Sequence, residues 1–241
     1  FVINHIKMLE ISPNVIFCGK VEFDEHYLNI SNYIKYRSSR HTRNNLFNLP
    51  IEDSSEEVVD FTKIVTMNMS CKKQLLLDNN LFFDDYFLGY GMEDNEFGWR
   101  VQKCGISIKQ CEARIVHNEI CDFDSFCKKI YHVGRDGIPK FRSKHNNAVW
   151  TIPFSKFLEP EYPYHENIAI FTSWIIRNII FNRTALLIKY FLNKTDKLNF
   201  IYFRFLYKYV LAYYYIRGAK DRNRQFQSNS ETKNSFYINI Q

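Results

Sequence analysis

Gly89-Tyr90-Gly91-Met92-Glu93-Asp94-Asn95-Glu96-Phe97-Gly98-Trp99-Arg100 is the stretch on which the reading of this chain turns. Two glycines around one tyrosine predict a loop, since glycine takes positive φ without steric cost. From Glu93 onward, Phe97, Val101 and Cys104 recur at helical spacing, and Gly105 stands where a helix-ending glycine belongs. A helix is therefore predicted over 93–104. The loop delivers two adjacent carboxylates, Glu93 and Asp94, to its first turn, where the helix dipole and free amides favour the ionised form. Side chains one position apart diverge by about 100° around a helix. One can face a pocket as general base while the other grips a hydroxyl-rich ligand. The plainer alternative is that acids in a first turn only complement the dipole.

Working outward, Val2, Ile6 and Leu9 recur at helical spacing until Ser12-Pro13-Asn14 stops them. Val15 to Gly19 reads as a short buried strand, and the polar stretch 22–57 as a surface excursion with a helix around 27–36. Ile64 to Met69 reads as a strand, followed by a helix over 71–78 with Ser70 as its N-cap. Beyond the central helix, Ile106 to Lys109 and Ala113 to His117 read as two short strands. A helix over 123–133 follows, which Gly134-Arg135-Asp136-Gly137-Ile138-Pro139 is expected to break. Helical patterns with apolar faces return over 168–187 and 200–216, and a polar tail starts near 226. The expected fold is α/β with a mixed sheet over 1–150, a helical extension over 151–225 and a mobile tail over 226–241.

Order and spacing carry a resemblance. Asn68-Met69-Ser70 at a strand end is followed by the loop Phe82-Phe83-Asp84-Asp85. Then come Gly89-Tyr90-Gly91-Met92-Glu93-Asp94-Asn95-Glu96 and a strand ending in His117. Together they resemble the second half of family 2 glycosyltransferases and the related galactosyltransferase C-terminal domain, over residue 1 to about residue 144. The resemblance implies the C-terminal half of a GT-A, nucleotide-diphospho-sugar transferase domain. It implies Asp94 as catalytic base for the acceptor hydroxyl, with Glu93, Gly91 and Asn68 as acceptor-binding residues. It also implies His117 as a ligand of Mn²⁺ or Mg²⁺ at the leaving diphosphate. The reaction implied is inverting transfer from a nucleotide-sugar donor to a glycan or lipid-linked acceptor, in surface polysaccharide or glycoconjugate synthesis.

The chain departs from that family in three places. Met67 stands where the family has Gly before Asn, and Phe82-Phe83-Asp84-Asp85 replaces Gly-Phe-Asp-Glu. The donor-binding region with its Asp-x-Asp, which the family places upstream, is not among these residues. The literal Asp122-Phe123-Asp124 comes after His117 and opens a helix. The reading is therefore of a chain without the donor half and inactive by itself, with a non-catalytic carbohydrate- or partner-binding relic as the alternative.

Bulk properties narrow the rest. With 46% hydrophobic residues among 241, the chain has ample material for a core and is not of disordered composition. Between Ile168 and Phe226 there are eleven Lys or Arg against two acids, Asp196 and Asp221. Apolar faces edged by these cations, with Tyr and Trp174, suit a helix lying on an anionic membrane surface, unless they simply cover the core. No recognised nucleic-acid module accompanies them, and no nucleic-acid partner is expected. No uncharged apolar run reaches the ~18 residues of a membrane span. Six cysteines without a Cys-x-x-Cys pair suggest a reducing compartment. The expected location is cytoplasmic, peripheral on the inner face of the cell membrane.

Overall fold

The computed structural model describes residues 1–41, 58–118, 121–146, 148–152, 182–198 and 201–238. In chain order its elements are α1 (Val2–Ile11), β1 (Ile16–Glu22), α2 (Glu25–Ile30), α3 (Asn32–His41), β2 (Met69–Ser70), α4 (Lys73–Asp78), α5 (Glu93–Lys103), β3 (Ile108–Val116), α6 (Phe123–His132), α7 (Ile138–Lys144), α8 (Asn182–Thr195) and α9 (Arg204–Ile238). The class is α/β. Contacts divide the chain into one unit of Phe1–Leu88, Met92–Asp122 and Phe191–Arg204, and a second of Gly89–Gly91, Phe123–Tyr190 and Phe205–Gln241.

In the first unit, β1 is the central strand of a three-stranded mixed sheet of order β2-β1-β3. It runs parallel to β3 and antiparallel to β2. Ile16, Phe17, Cys18 and Gly19 are all buried, as expected of a strand covered on both faces. On one side α1 lays Met8 and Leu9 over Phe17, Cys111 and Ala113. The predicted apolar stripe of α1 is not the buried one: Val2 and Ile6 are exposed, and the residue it buries is His5.

β3 is one strand where two were expected. Its register jumps from Cys18↔Gln110 to Lys20↔Arg114, so β3 advances four residues while β1 advances two. Such a bulge shifts the inward phase. Ile108 and Cys111, three apart, are both buried, followed by Ala113. A pattern that breaks period two in mid-strand reads as two strands. The predicted strand over 64–69 is also corrected. Short 3₁₀ turns occupy Phe61–Lys63 and Thr66–Asn68, so that of this stretch only Met69 pairs as strand, with Ser70 after it.

The predicted helix around 27–36 is two helices, separated at Ser31 in an extended conformation. The cause lies far along the chain. Asp196 accepts hydrogen bonds from Tyr33 N at 2.7 Å and Ser31 Oγ at 2.8 Å. Asn32 Nδ2 lies 2.8–3.0 Å from the carbonyls of Thr195, Leu198 and Ile201. A carboxylate from 163 residues away thus satisfies the Tyr33 amide at the start of α3. This segment was expected to belong to a basic extension, yet it completes the first unit.

In the second unit, the Gly134–Pro139 stretch does not break the helix. Val133–Gly137 forms a π-helical turn that leads directly into α7. Pro139 lies in the first turn of α7, where its missing N–H is no loss. The glycine has a different purpose. A Cβ on Gly134 would lie 2.1 Å from Tyr215 O, and one on Gly218 would lie 2.1 Å from Tyr131 O. The two helices touch backbone to backbone at that crossing. Gly134→Ala and Gly218→Ala are each expected to cost about 1–3 kcal/mol of stability by overpacking, read as a lower urea midpoint.

Asp124 of the literal Asp-x-Asp pairs with Lys189 at 2.5 Å, and Tyr214 O–H lies 3.1 Å from the same Nζ. α9 buries Tyr207, Val210, Leu211, Tyr213 and Tyr215, so the aromatic helix spends these side chains on packing. It runs to Ile238, through most of the expected tail. The apolar positions 168–180 lie outside the described residues. Among the described residues no helix is long and apolar enough to cross a membrane.

Candidate active site

The glycine loop and the helix it feeds form as predicted, with one unforeseen feature. Gly89, Gly91 and Met92 all have positive φ, at 114°, 92° and 82°. Met92 is buried and occupies the N-cap position of α5 without a side-chain cap. A non-glycine residue held left-handed costs roughly 1–3 kcal/mol and marks a geometry that its surroundings impose. A Cβ on Gly91 would lie 2.5 Å from Val133 Cγ2, so glycine is required there for space as well as for φ. By its contacts Gly91 groups with the second unit, and Glu93 and Asp94 with the first.

Asp94 is half-buried and turned toward the 66–70 strand end. Thr66 Oγ1 donates to its Oδ1 at 2.7 Å. Burial pushes the Asp94 carboxyl above the ordinary aspartate range, while hydrogen bonds from the Thr66 hydroxyl and backbone pull it back; burial prevails. A desolvated carboxylate held in one orientation has the properties a general base needs. The same burial pushes the nearby Cys18 thiol up to about 11, with the Asp94 charge adding to it. Cys18 therefore stays a neutral thiol and is no competitor as nucleophile. Glu93 opens α5 with Oε2 buried.

The rest of α5 serves to hold this arrangement. Buried Glu96 takes the Arg100 guanidinium side-on, Nε to Oε1 and Nη2 to Oε2, both at 2.8 Å. Arg100 Nη2 also donates to Phe82 O. Phe83 stacks on Phe97 with ring centroids 4.9 Å apart. The 82–87 loop is thereby pinned to the helix that carries Asp94. Phe82, Phe83 and Tyr86 remain about half exposed.

Asn68, expected to bind the acceptor, is instead fully enclosed at 0% exposure. Its Nδ2 donates to Lys20 O at 2.8 Å and Ala113 O at 3.0 Å. Its Oδ1 faces His5 Nε2 at 2.8 Å. The amide bridges the two strands where their register slips and has no surface left for a ligand. Ser70, expected to cap α4, gives its hydroxyl to His5 Nδ1 at 2.6 Å. α4 accordingly begins at Lys73 without a side-chain cap. Thr66 and His5 were not singled out from the sequence, and Ser70 was read only as an N-cap and as the end of the Asn68-Met69-Ser70 motif. His5 carried a signal, because it falls in line with Phe1 and Met8, a polar residue on the face that α1 buries.

His117 lies at the end of β3, where its N–H donates to Glu22 O at 2.8 Å. Its ring stacks on Phe23 at 5.4 Å and 8°. Among the described residues no group of three His, Cys, Asp or Glu could hold a metal ion. His117 is a single imidazole, and one imidazole by itself does not make a Mn²⁺ or Mg²⁺ site. The structure thus brings Asp94, Thr66 and the Asn68 turn together and leaves His117 outside the group. No protein-family model matches this chain, and comparisons with curated proteins and with solved structures give no match.

Proposed function

We propose that this chain is the acceptor-binding, catalytic-base half of an inverting glycosyltransferase domain of the GT-A type. In this reading residues that the family places ahead of those matched here would bind the nucleotide-sugar donor. The observation that carries it is Asp94: a half-buried, proton-avid carboxyl, positioned by Thr66 in the first turn of a helix that follows a glycine loop. Asp94 removes the proton of an acceptor hydroxyl as that oxygen attacks the anomeric carbon. The nucleotide diphosphate leaves from the opposite side, which inverts the configuration. Glu93 holds the acceptor sugar beside it, and Asn68 acts at one remove by fixing the turn that carries Thr66.

The second reading, a non-catalytic carbohydrate-binding relic, draws on the exposed rings of Phe82, Phe83 and Tyr86 on the pinned loop. A lipid-linked acceptor at an anionic membrane would suit the exposed Leu187 and Tyr190 of α8. The deciding experiment takes the protein as its gene encodes it and supplies a panel of nucleotide sugars with glycan and lipid-linked acceptors. Acceptor-dependent release of nucleotide diphosphate, with a product of inverted anomeric configuration by NMR, is the expected result. Acceptor binding without release from any donor would leave the relic reading standing and remove the catalytic one.

A further inference from the structure

The hydrogen-bonded series Ser70–His5–Asn68 has the order and polarity of nucleophile, base and orienting amide, and we propose that Ser70 is an activated nucleophile for acyl transfer from carboxylic esters. This site uses neither Asp94 nor Glu93 and stands independently of the glycosyl-transfer reading. Each role follows from a separate observation. Asn68 Nδ2 spends its hydrogens on Lys20 O and Ala113 O, so Asn68 Oδ1 can only accept, and His5 Nε2–H donates to it. In the neutral ring Nδ1 is then the lone-pair nitrogen, and it takes the Ser70 hydroxyl at 2.6 Å.

Burial supports the assignment. His5 is 4% exposed, with the Phe1 ring edge-on to it at 5.1 Å, and Asn68 is fully enclosed. The imidazole cannot swing to solvent, whereas Ser70 is only half-buried. Cys111 Sγ, 3.7 Å from the same Nδ1, is buried and holds a weaker claim on that nitrogen than the hydroxyl. Nucleophile, base and side-chain amide in these roles recur as Cys-His-Asn in papain-like proteases. Nucleophile-to-base and base-to-orienter distances both fall within the range such sites show.

In the reaction, Ser70 Oγ attacks the ester carbonyl carbon and its proton passes to His5 Nδ1. The tetrahedral adduct collapses, the bond to the alcohol oxygen breaks, and Nδ1–H protonates that oxygen as it leaves. Water, deprotonated by the same nitrogen, then cleaves the acyl-Ser70 ester and regenerates the hydroxyl. Asn68 is a positioning residue: it fixes the tautomer that leaves Nδ1 free.

The test treats the folded chain with a fluorophosphonate probe, which forms a P–O bond to Ser70 as the P–F bond breaks and fluoride leaves. Peptide mass spectrometry should find the adduct on Ser70 forming roughly 10²-fold or more faster than on exposed Ser143, the scale of general-base assistance. It should vanish in Ser70→Ala and fall to the Ser143 rate in His5→Gln, with both variants still unfolding cooperatively. Iodoacetamide supplies a smaller probe. The new thiol of Ser70→Cys should alkylate at pH 6 faster than exposed Cys104, and lose that advantage when His5→Gln is added. Either reaction, lost with His5→Gln, supports the proposal. Failure of both on a cooperatively folded chain, or rates that His5→Gln leaves unchanged, overturns it.

Discussion

Asn68→Ala is expected to lower the stability of the first unit by roughly 3 kcal/mol, because two buried polar groups and one half-buried carbonyl lose their partner together. The groups are Lys20 O, Ala113 O and His5 Nε2–H. The two carbonyls lie where β1 and β3 slip register, so no ladder hydrogen bond can replace the amide there. Gly19→Ala attacks the same point from the opposite side. A Cβ there would lie 2.2 Å from Ala113 O and 2.4 Å from Asn68 Nδ2, so the amide would have to leave its place. Both variants should unfold at much lower urea concentration, and each should loosen Thr66, two residues from Asn68. If Asn68→Ala unfolds within 1 kcal/mol of the parent, by urea titration analysed as a two-state transition, the amide is not the lock described.

This lock also explains where the sequence could be read and where it could not. The glycine loop, helix α5 and its ending at Gly105 were legible because φ requirements and 3.6-residue periodicity are local properties. The bulge was not, since Ile108 and Cys111 break the alternation that announces a strand. The division of the 27–36 helix depended on Asp196, more than 160 residues away, and no window on the sequence joins those two places. The glycines of 134–137 were read as punctuation, whereas Gly134 makes room for another helix. Within the site, Asp94 was singled out by the company it keeps, and the fold sets it half-buried against Thr66. Asn68 was read as acceptor-binding and its amide lies across the register slip, because a polar residue at a strand end looks the same whether it faces a ligand or a register slip. Thr66 had no signal until the fold brought it to Asp94.

Asp94→Asn should move stability and transfer in opposite directions. Burial holds the folded-state pKa of Asp94 above that of the unfolded chain, so the folded protein binds this proton the more tightly. The native state then gains protons relative to the unfolded one across the window between the two values, and stability falls as pH rises through it. Above the window, at neutral pH, the full cost of a desolvated charge is present. Asparagine removes that charge and keeps an oxygen that can accept from Thr66 Oγ1. The variant should therefore melt at a higher temperature than the parent at pH 7. The difference should shrink as pH falls through the window toward the ordinary aspartate value of 3.8, where the parent carboxyl is protonated as well. In the protein as its gene encodes it, glycosyl transfer should fall by roughly 10²–10⁴-fold, the contribution of a positioned general base, with donor affinity unchanged. A stabilised variant with undiminished transfer would show that Asp94 is strained for some other purpose. A variant that loses stability and transfer together would show that its carboxylate holds the fold and is not poised to take a proton.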